Sequence, residues 1–493
     1  MSRIRHYAAD PHRTQAALLK TFLQKNTHIE IGKRFQFNKI RTPQDFARQV
    51  PIHDYETIKT DIQRMMYGER DILWSGAVNW FAKSSGTTSD RSKFIPVTRD
   101  NLRMCHLRGG WDTTTMIYDR RPNSTFFDGK MLLMGGSYDT FAPYPTTRFG
   151  DVSSIMLSNL PAVGNMIYTP PLSIALQSNT EQKIEDIAKR IIHEDLRMLG
   201  GVPTWTVVLL RRVLEITGKN NALEIWPHLK GYIHGGVSFA PYRQQFKQLI
   251  PDPDFTYWEI YNASEGFFAS QNEFGADDMM LLLDNGVYFE FLPESEWHKP
   301  QPEALPLEGV KVGEHYALVV TTNAGLWRYT PGDTVVFTST QPYKIQVSGR
   351  TNQFVNAFGE EVMVSNTDLA IAKTCQVTGA LVADYTVAPI YFNGSGKGGH
   401  EWLVEFDKEP ENIENFNNIL DDNLQRINSD YEAKRFKSMA MERLKLHNIP
   451  KGTFHRWLKT KGKYGGQSKV PRLANDRRYI DEILHLVGDR KIF

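Results

Sequence analysis

The 493-residue chain sets Lys+Arg 58 against Asp+Glu 56, for a formal net charge of +2, a balance that argues against nucleic acid or an anionic membrane as its main partner. Its length exceeds one ordinary core and suits a large domain with a smaller one. Two cysteines, Cys105 and Cys375, have no paired spacing, so neither a disulfide framework nor a zinc site is indicated, and a reducing cytoplasm fits best. No run of about 18 apolar residues occurs that would span a bilayer.

In chain order, the apolar Trp80-Phe81-Ala82 leads into Ser84-Ser85-Gly86-Thr87-Thr88-Ser89-Asp90-Arg91-Ser92-Lys93 and then Phe94-Ile95-Pro96. A strand entering such a loop presents hydroxyls and backbone N–H groups together, donors suited to phosphate oxygens. The apolar spacing from Ile184 to Leu196 predicts a helix over 181–199, ended by Gly200-Gly201 and barred from continuing by Pro203. His234-Gly235-Gly236-Val237-Ser238 offers backbone bare enough to lie flat against adenine. Phe255 to Ile260 reads as an aromatic strand, followed by Tyr261-Asn262-Ala263-Ser264-Glu265-Gly266. There Glu265 can hold a Mg²⁺ that bridges phosphate oxygens, with the Ser264 hydroxyl on the neighbouring phosphate.

Asn285-Gly286 between two strand-like runs predicts a hairpin over 280–293. Further strands are expected over 316–322 and 334–337. Between them, Tyr329-Thr330-Pro331-Gly332-Asp333 places a carboxylate after a turn, where it can accept two ribose hydroxyls, with Arg350 able to reach the same sugar or a phosphate. Beyond Gly349-Arg350-Thr351-Asn352 the pattern restarts as a small α+β unit, with a long amphipathic helix that carries Ile413, Phe416, Ile419, Leu420, Leu424 and Ile427 on one side. The expected fold is α/β, with a large N-terminal domain over 1–349 and a small mobile α+β domain over 350–493.

Each motif alone has a plainer reading: a polar surface loop, a solvated glutamate, an Asp completing its own turn, a glycine turn. Their fixed order is what points to nucleotide chemistry. Gly394 to Gly399 lacks the first glycine and the Ser/Thr of a phosphate loop and reads as a flexible hairpin; no His-Glu-x-x-His and no Gly-x-Ser-x-Gly occurs. Zinc and serine hydrolysis therefore lose their main support.

With these residues in view, the chain resembles the adenylate-forming superfamily of acyl-CoA synthetases and luciferases, and more narrowly the Gretchen Hagen auxin-responsive family of acyl acid amido synthetases. The narrower resemblance rests on Ser84 to Thr88, Tyr261 to Gly266, Pro51-Ile52-His53-Asp54-Tyr55-Glu56, and Gln467-Ser468-Lys469-Val470-Pro471-Arg472. It implies ATP-phosphate binding by Ser84, Ser85, Thr87 and Thr88, a metal on Glu265, ribose on Asp333, an adenylation lysine at Lys469, and a domain junction at Arg350 with its hinge at Asn352. Gly235, Gly236, Tyr261, Ser264 and Arg350, from the motifs read above, are the other candidate ATP-binding residues. The implied activity is an ATP- and Mg²⁺-dependent ligase that adenylates a carboxylic acid and passes the acyl group to an amino acid. An acyl-CoA ligase using coenzyme A, or a noncatalytic acyl- or nucleotide-binding protein, are the alternatives.

Overall fold

The computed structural model describes residues 1–84, 93–297, 299–351, 354–355, 360, 362–390, 398–435, 441–461 and 469–488. Two compact units result. The first comprises Met1–Val202, Leu209–Gly236 and Pro253–Val347; the second comprises Pro203–Val208, Val237–Asp252 and Ser348–Phe493. No helix of the described residues is long and apolar enough to cross a membrane.

The first unit is organised by a long mixed sheet. In its parallel half, the strand Leu196–Gly201 runs between Lys130–Leu133 and Gly231–Gly235, which in turn neighbours Thr256–Ala263. The helix expected over 181–199 is shorter than its pattern: it spans Thr180–Ile191, and Leu196 opens the next strand. Leu196, Met198 and Leu199 are all buried. A strand covered on both faces has no alternation to mark it, so its apolar run merges with the helical repeat before it. Pro203 likewise starts a helix, Pro203–Thr217, where it sits at the first position and needs no N–H partner.

The antiparallel half corrects the expected hairpin. Gly286 does take a positive φ of 71°, as an Asn-Gly turn requires, but its flanking strands separate. Met279–Leu281 pairs with Gly266–Ser270 and Tyr343–Arg350, whereas Val287–Pro293 pairs with His315–Thr322 and Leu305–Pro306. Buried Gln15, from the helix Pro11–Lys25, provides the bonds that a hairpin partner would have made. Its amide donates to the carbonyls of Leu283 and Val287 at 2.7 and 2.9 Å and accepts from the N–H of Phe289 at 2.8 Å. Asn285 is drawn inward as well, donating to the carbonyls of Cys105 and Phe267.

The second unit, which adds Pro203–Val208 and Val237–Asp252 to the chain from Ser348 onward, holds a three-stranded sheet. Leu381–Ile390 and Gly399–Lys408 pair antiparallel, Lys445–Ile449 adds a parallel strand, and Ile413–Ile427 buries Phe416, Leu420 and Leu424 among core residues that include Trp402. Most of the glycine-rich 394–399 segment lies outside the described residues, although Ile390 is paired with Gly399 across it. Cys105 and Cys375 are free thiols, both buried.

Candidate active site

The hydroxyl-rich segment starts and finishes at adjacent points. Trp80–Ser84 pairs antiparallel with Lys93–Val97, and Ser84 stands opposite Lys93. Ser85, Gly86, Thr87 and Thr88 lie outside the described residues, as does Asn352. The base of the segment is tied to the helix Tyr55–Met66: the Phe94 N–H donates to the Tyr55 hydroxyl at 3.0 Å, and the Lys93 ammonium sits 5.8 Å from the Tyr55 ring centre.

Two residues earlier, His53 docks on the approach to Asp333. Its N–H donates to the Arg328 carbonyl and its carbonyl accepts from the Thr330 N–H, both at 2.8 Å. Its ring Nδ1 lies 2.9 Å from the Trp327 carbonyl, which can only accept, so the proton is on Nδ1. Burial pushes the imidazole below its usual range, and the ring is neutral. The Pro51 to Glu56 stretch thus secures both the strand leaving the hydroxyl-rich segment and the irregular chain leading to Asp333.

Gly332, at φ 89°, turns the chain into Asp333, the first residue of the strand Asp333–Thr340. The Tyr261 hydroxyl donates to Asp333 Oδ2 at 2.6 Å, joining two motifs that are 72 residues apart. Tyr261 stands near the end of the strand Thr256–Ala263, and Ser264-Glu265 is the two-residue turn before Gly266–Ser270, with Ala263 opposite Gly266. Glu265 is only 7% exposed. Next to Tyr261, the side-chain amide oxygen of Asn262 accepts from Nδ1 of His106 at 3.0 Å. His106 is fully buried, and burial pushes it down to about 4, so this ring is also neutral.

Gly235 closes the strand Gly231–Gly235, and Gly236 takes a φ of 82°. A Cβ at Gly235 would stand 2.4 Å from the Ile260 carbonyl oxygen. Close approach to the neighbouring strand therefore accounts for this glycine, whether or not adenine rests on it. Gly235→Ala is expected to lower stability by about 1–3 kcal/mol, read from urea denaturation of the purified variant. A stability equal to the parent's would show that the strands shift at no cost.

In the second unit, Arg350 ends the strand Tyr343–Arg350 directly after Gly349, and Lys469 is half-buried at the head of a segment bonded to Leu381–Ile390. No group of three or more His, Cys, Asp or Glu side chains among the described residues is arranged to hold a metal.

The chain matches the GH3 family N-terminal domain over residues 1–137 and 138–255, the central domain over 280–350 and the C-terminal domain over 365–478. It belongs to the GH3 family. This GH3 chain is 23% identical to indole-3-acetic acid-amido synthetase GH3.3 of Arabidopsis thaliana, across 97% of its own length and 91% of the relative's. It is 22% identical to jasmonoyl-L-amino acid synthetase JAR6 of Nicotiana attenuata, across 95% and 92%. Among solved structures, the GH3.15 acyl acid amido synthetase aligns with a TM-score of 0.79 at 17% identity, covering 100% of this chain and 96% of that one. A 2-hydroxyisobutyryl-CoA ligase in the postadenylation state aligns at 0.65 and 12% identity, covering 97% and 92%. The fold of the GH3 chain is therefore the adenylate-forming one, α/β with a large N-terminal part and a C-terminal domain.

Sequence reasoning used His53 and Tyr55 only as marks of resemblance, and their bonding explains why that stretch accompanies the others. It passed over His106 altogether. A single histidine in a helical pattern carries no signal until the fold sets Asn262 against it.

Proposed function

We propose that this GH3 protein is an ATP-dependent ligase, an acyl acid amido synthetase that adenylates a carboxylic acid and transfers the acyl group to an amino acid. The observation carrying this reading is the Tyr261–Asp333 hydrogen bond, which unites the Glu265 hairpin and the ribose-binding candidate within one unit of a GH3 chain. The names of the relatives, amido synthetases for indole-3-acetic acid and jasmonate, support an acid as donor and an amino acid as acceptor.

In this reading the Asp333 carboxylate, oriented by the Tyr261 hydroxyl, accepts the ribose hydroxyls, and Ser84, Ser85, Thr87 and Thr88 surround the phosphates. Gly235 and Gly236 lie beside adenine, and Arg350 reaches the sugar or a phosphate. Glu265, held rigid in a tight turn with Ser264, is the carboxylate that would hold Mg²⁺ on the triphosphate, and the bound ion would offset charge on the departing pyrophosphate. The acid's carboxylate attacks the α-phosphorus as the bond to pyrophosphate breaks, and the Lys469 ammonium stabilises the developing oxygen charge. The amine then attacks the acyl carbon, AMP leaves, and the amine loses its proton. The domains 1–349 and 350–493 meet at Arg350, and Asn352 is the hinge on which the smaller one changes position between the two steps. Such an enzyme works on small molecules in the cytoplasm.

A screen of carboxylic acids for ATP-dependent pyrophosphate release, followed by comparison of amino acids with coenzyme A as triggers of AMP release, tests the reading. Release triggered only by coenzyme A would replace it with an acyl-CoA ligase, and no release with any acid would favour a binding protein. Glu265→Gln keeps the shape and removes the charge, so pyrophosphate release is expected to fall at least about tenfold, or about 1.4 kcal/mol of barrier. Unchanged release at limiting Mg²⁺ would remove Glu265 from the metal site.

A further inference from the structure

Within the second unit, the chain that follows Lys469 is fastened along the strand Leu381–Ile390. Val387 N–H donates to the Arg472 carbonyl at 2.8 Å, Ala474 N–H donates to the Val387 carbonyl at 3.1 Å, and the Thr386 hydroxyl donates to the Pro471 carbonyl at 2.6 Å. The Arg472 side chain is only 14% exposed. Its guanidinium lies 4.3 Å from the Tyr385 ring centre, and that ring stacks in turn on Trp402 at 5.4 Å. It pairs with Asp384, donates to the Tyr385 carbonyl at 3.1 Å and the Tyr242 hydroxyl at 3.3 Å, and comes within 3.9 Å of Asp368. Asp368 accepts from the Tyr385 hydroxyl at 2.6 Å, which closes the cluster.

Ion pairs withdrawn from water add little net stability compared with apolar packing of the same volume, but they fix geometry. Three residues span at most about 10 Å of extended chain, so a shift of Arg472 is transmitted to Lys469. A displacement of about 1 Å in a reacting geometry can cost about a hundredfold in rate. We infer that Arg472 is a positioning residue for Lys469: locked among Asp384, Asp368 and Tyr385, it sets where the lysine ammonium stands for the adenylation step. The inference rests on the role given to Lys469 above.

The test uses the full chain with Arg472→Gln and, because that change leaves two carboxylates short of a partner, also Thr386→Val, which removes only the bond to the Pro471 carbonyl. Reactivity of Lys469 toward an amine-acylating reagent, followed by peptide mass, reads its placement independently of catalysis. Lys469 reactivity is expected to change at least about threefold in both variants, and pyrophosphate release to fall at least about tenfold in Arg472→Gln, while consumption of supplied acyl-adenylate with an amine stays within about twofold. Should Arg472→Gln fail to fold, Thr386→Val decides alone. Unaltered reactivity in a folded variant overturns the inference, as does an equal fall of both half-reactions that tracks melting temperature. Altered reactivity with unchanged pyrophosphate release upholds the positioning and instead removes Lys469 from the chemistry.

Discussion

Lys469→Ala is expected to lower pyrophosphate release from acid and ATP by at least about a hundredfold, which corresponds to about 2.7 kcal/mol of lost transition-state stabilisation. The loss should be confined to the first half-reaction. Attack on the α-phosphorus builds charge on its oxygens in the transition state; when the amine attacks the acyl carbon, charge develops first on the acyl oxygen, and AMP is already a good leaving group. The variant should therefore still consume a supplied acyl-adenylate when an amine is added. Rapid-quench measurement of the two half-reactions on folded protein checks this, and an equal loss in both would make the residue structural or give it both duties.

The largest effect on stability is expected at Arg328. It and Glu290 are 5% and 4% exposed in their side chains, with a nitrogen-to-oxygen distance of 2.9 Å, and Arg328 also donates to the carbonyls of Ala47 and Val50 at 2.7 and 2.8 Å. Arg328→Met leaves a carboxylate buried without its cation and two carbonyls without a donor, at a cost of about 3–5 kcal/mol, out of the roughly 5–15 kcal/mol that holds a typical domain together. The pH dependence has a definite sign. Burial raises Glu290 above its usual range even beside the arginine, and without the arginine it must rise further. Between its unfolded value and this raised folded value, the folded variant binds more protons than the unfolded chain, so acidification stabilises the variant and narrows its gap to the parent. Equilibrium denaturation at several pH values measures it, and a gap that widens on acidification would contradict the account. Replacing Glu290 as well with an apolar residue should recover part of the loss.

Local structure was legible wherever it depended on neighbours in sequence. The Ser264-Glu265 turn beyond an aromatic strand, the turn before Asp333, and the helix bearing Phe416, Leu420 and Leu424 could all be read from the order of residue types. The readings failed where tertiary bonding took over a local signal. Asn285-Gly286 kept its glycine conformation yet lost its hairpin, because Gln15 occupies the hydrogen-bonding edge that a partner strand would have filled. Leu196 was lost to a helix because burial on both faces erases the alternation that identifies a strand. The link from Tyr261 to Asp333 spans 72 residues, and nothing in either motif announces the other.

Gln15 also sets a timetable for synthesis. Its three backbone bonds join residues 268 to 274 positions apart, and at about 5–20 residues per second the ribosome needs roughly 15–50 s to deliver the strand after the helix. Through that interval the apolar face of the helix, with Leu19, Phe22 and Leu23, has no finished sheet to cover it. The start of the chain therefore cannot take its final place until strands more than half-way along it have been made.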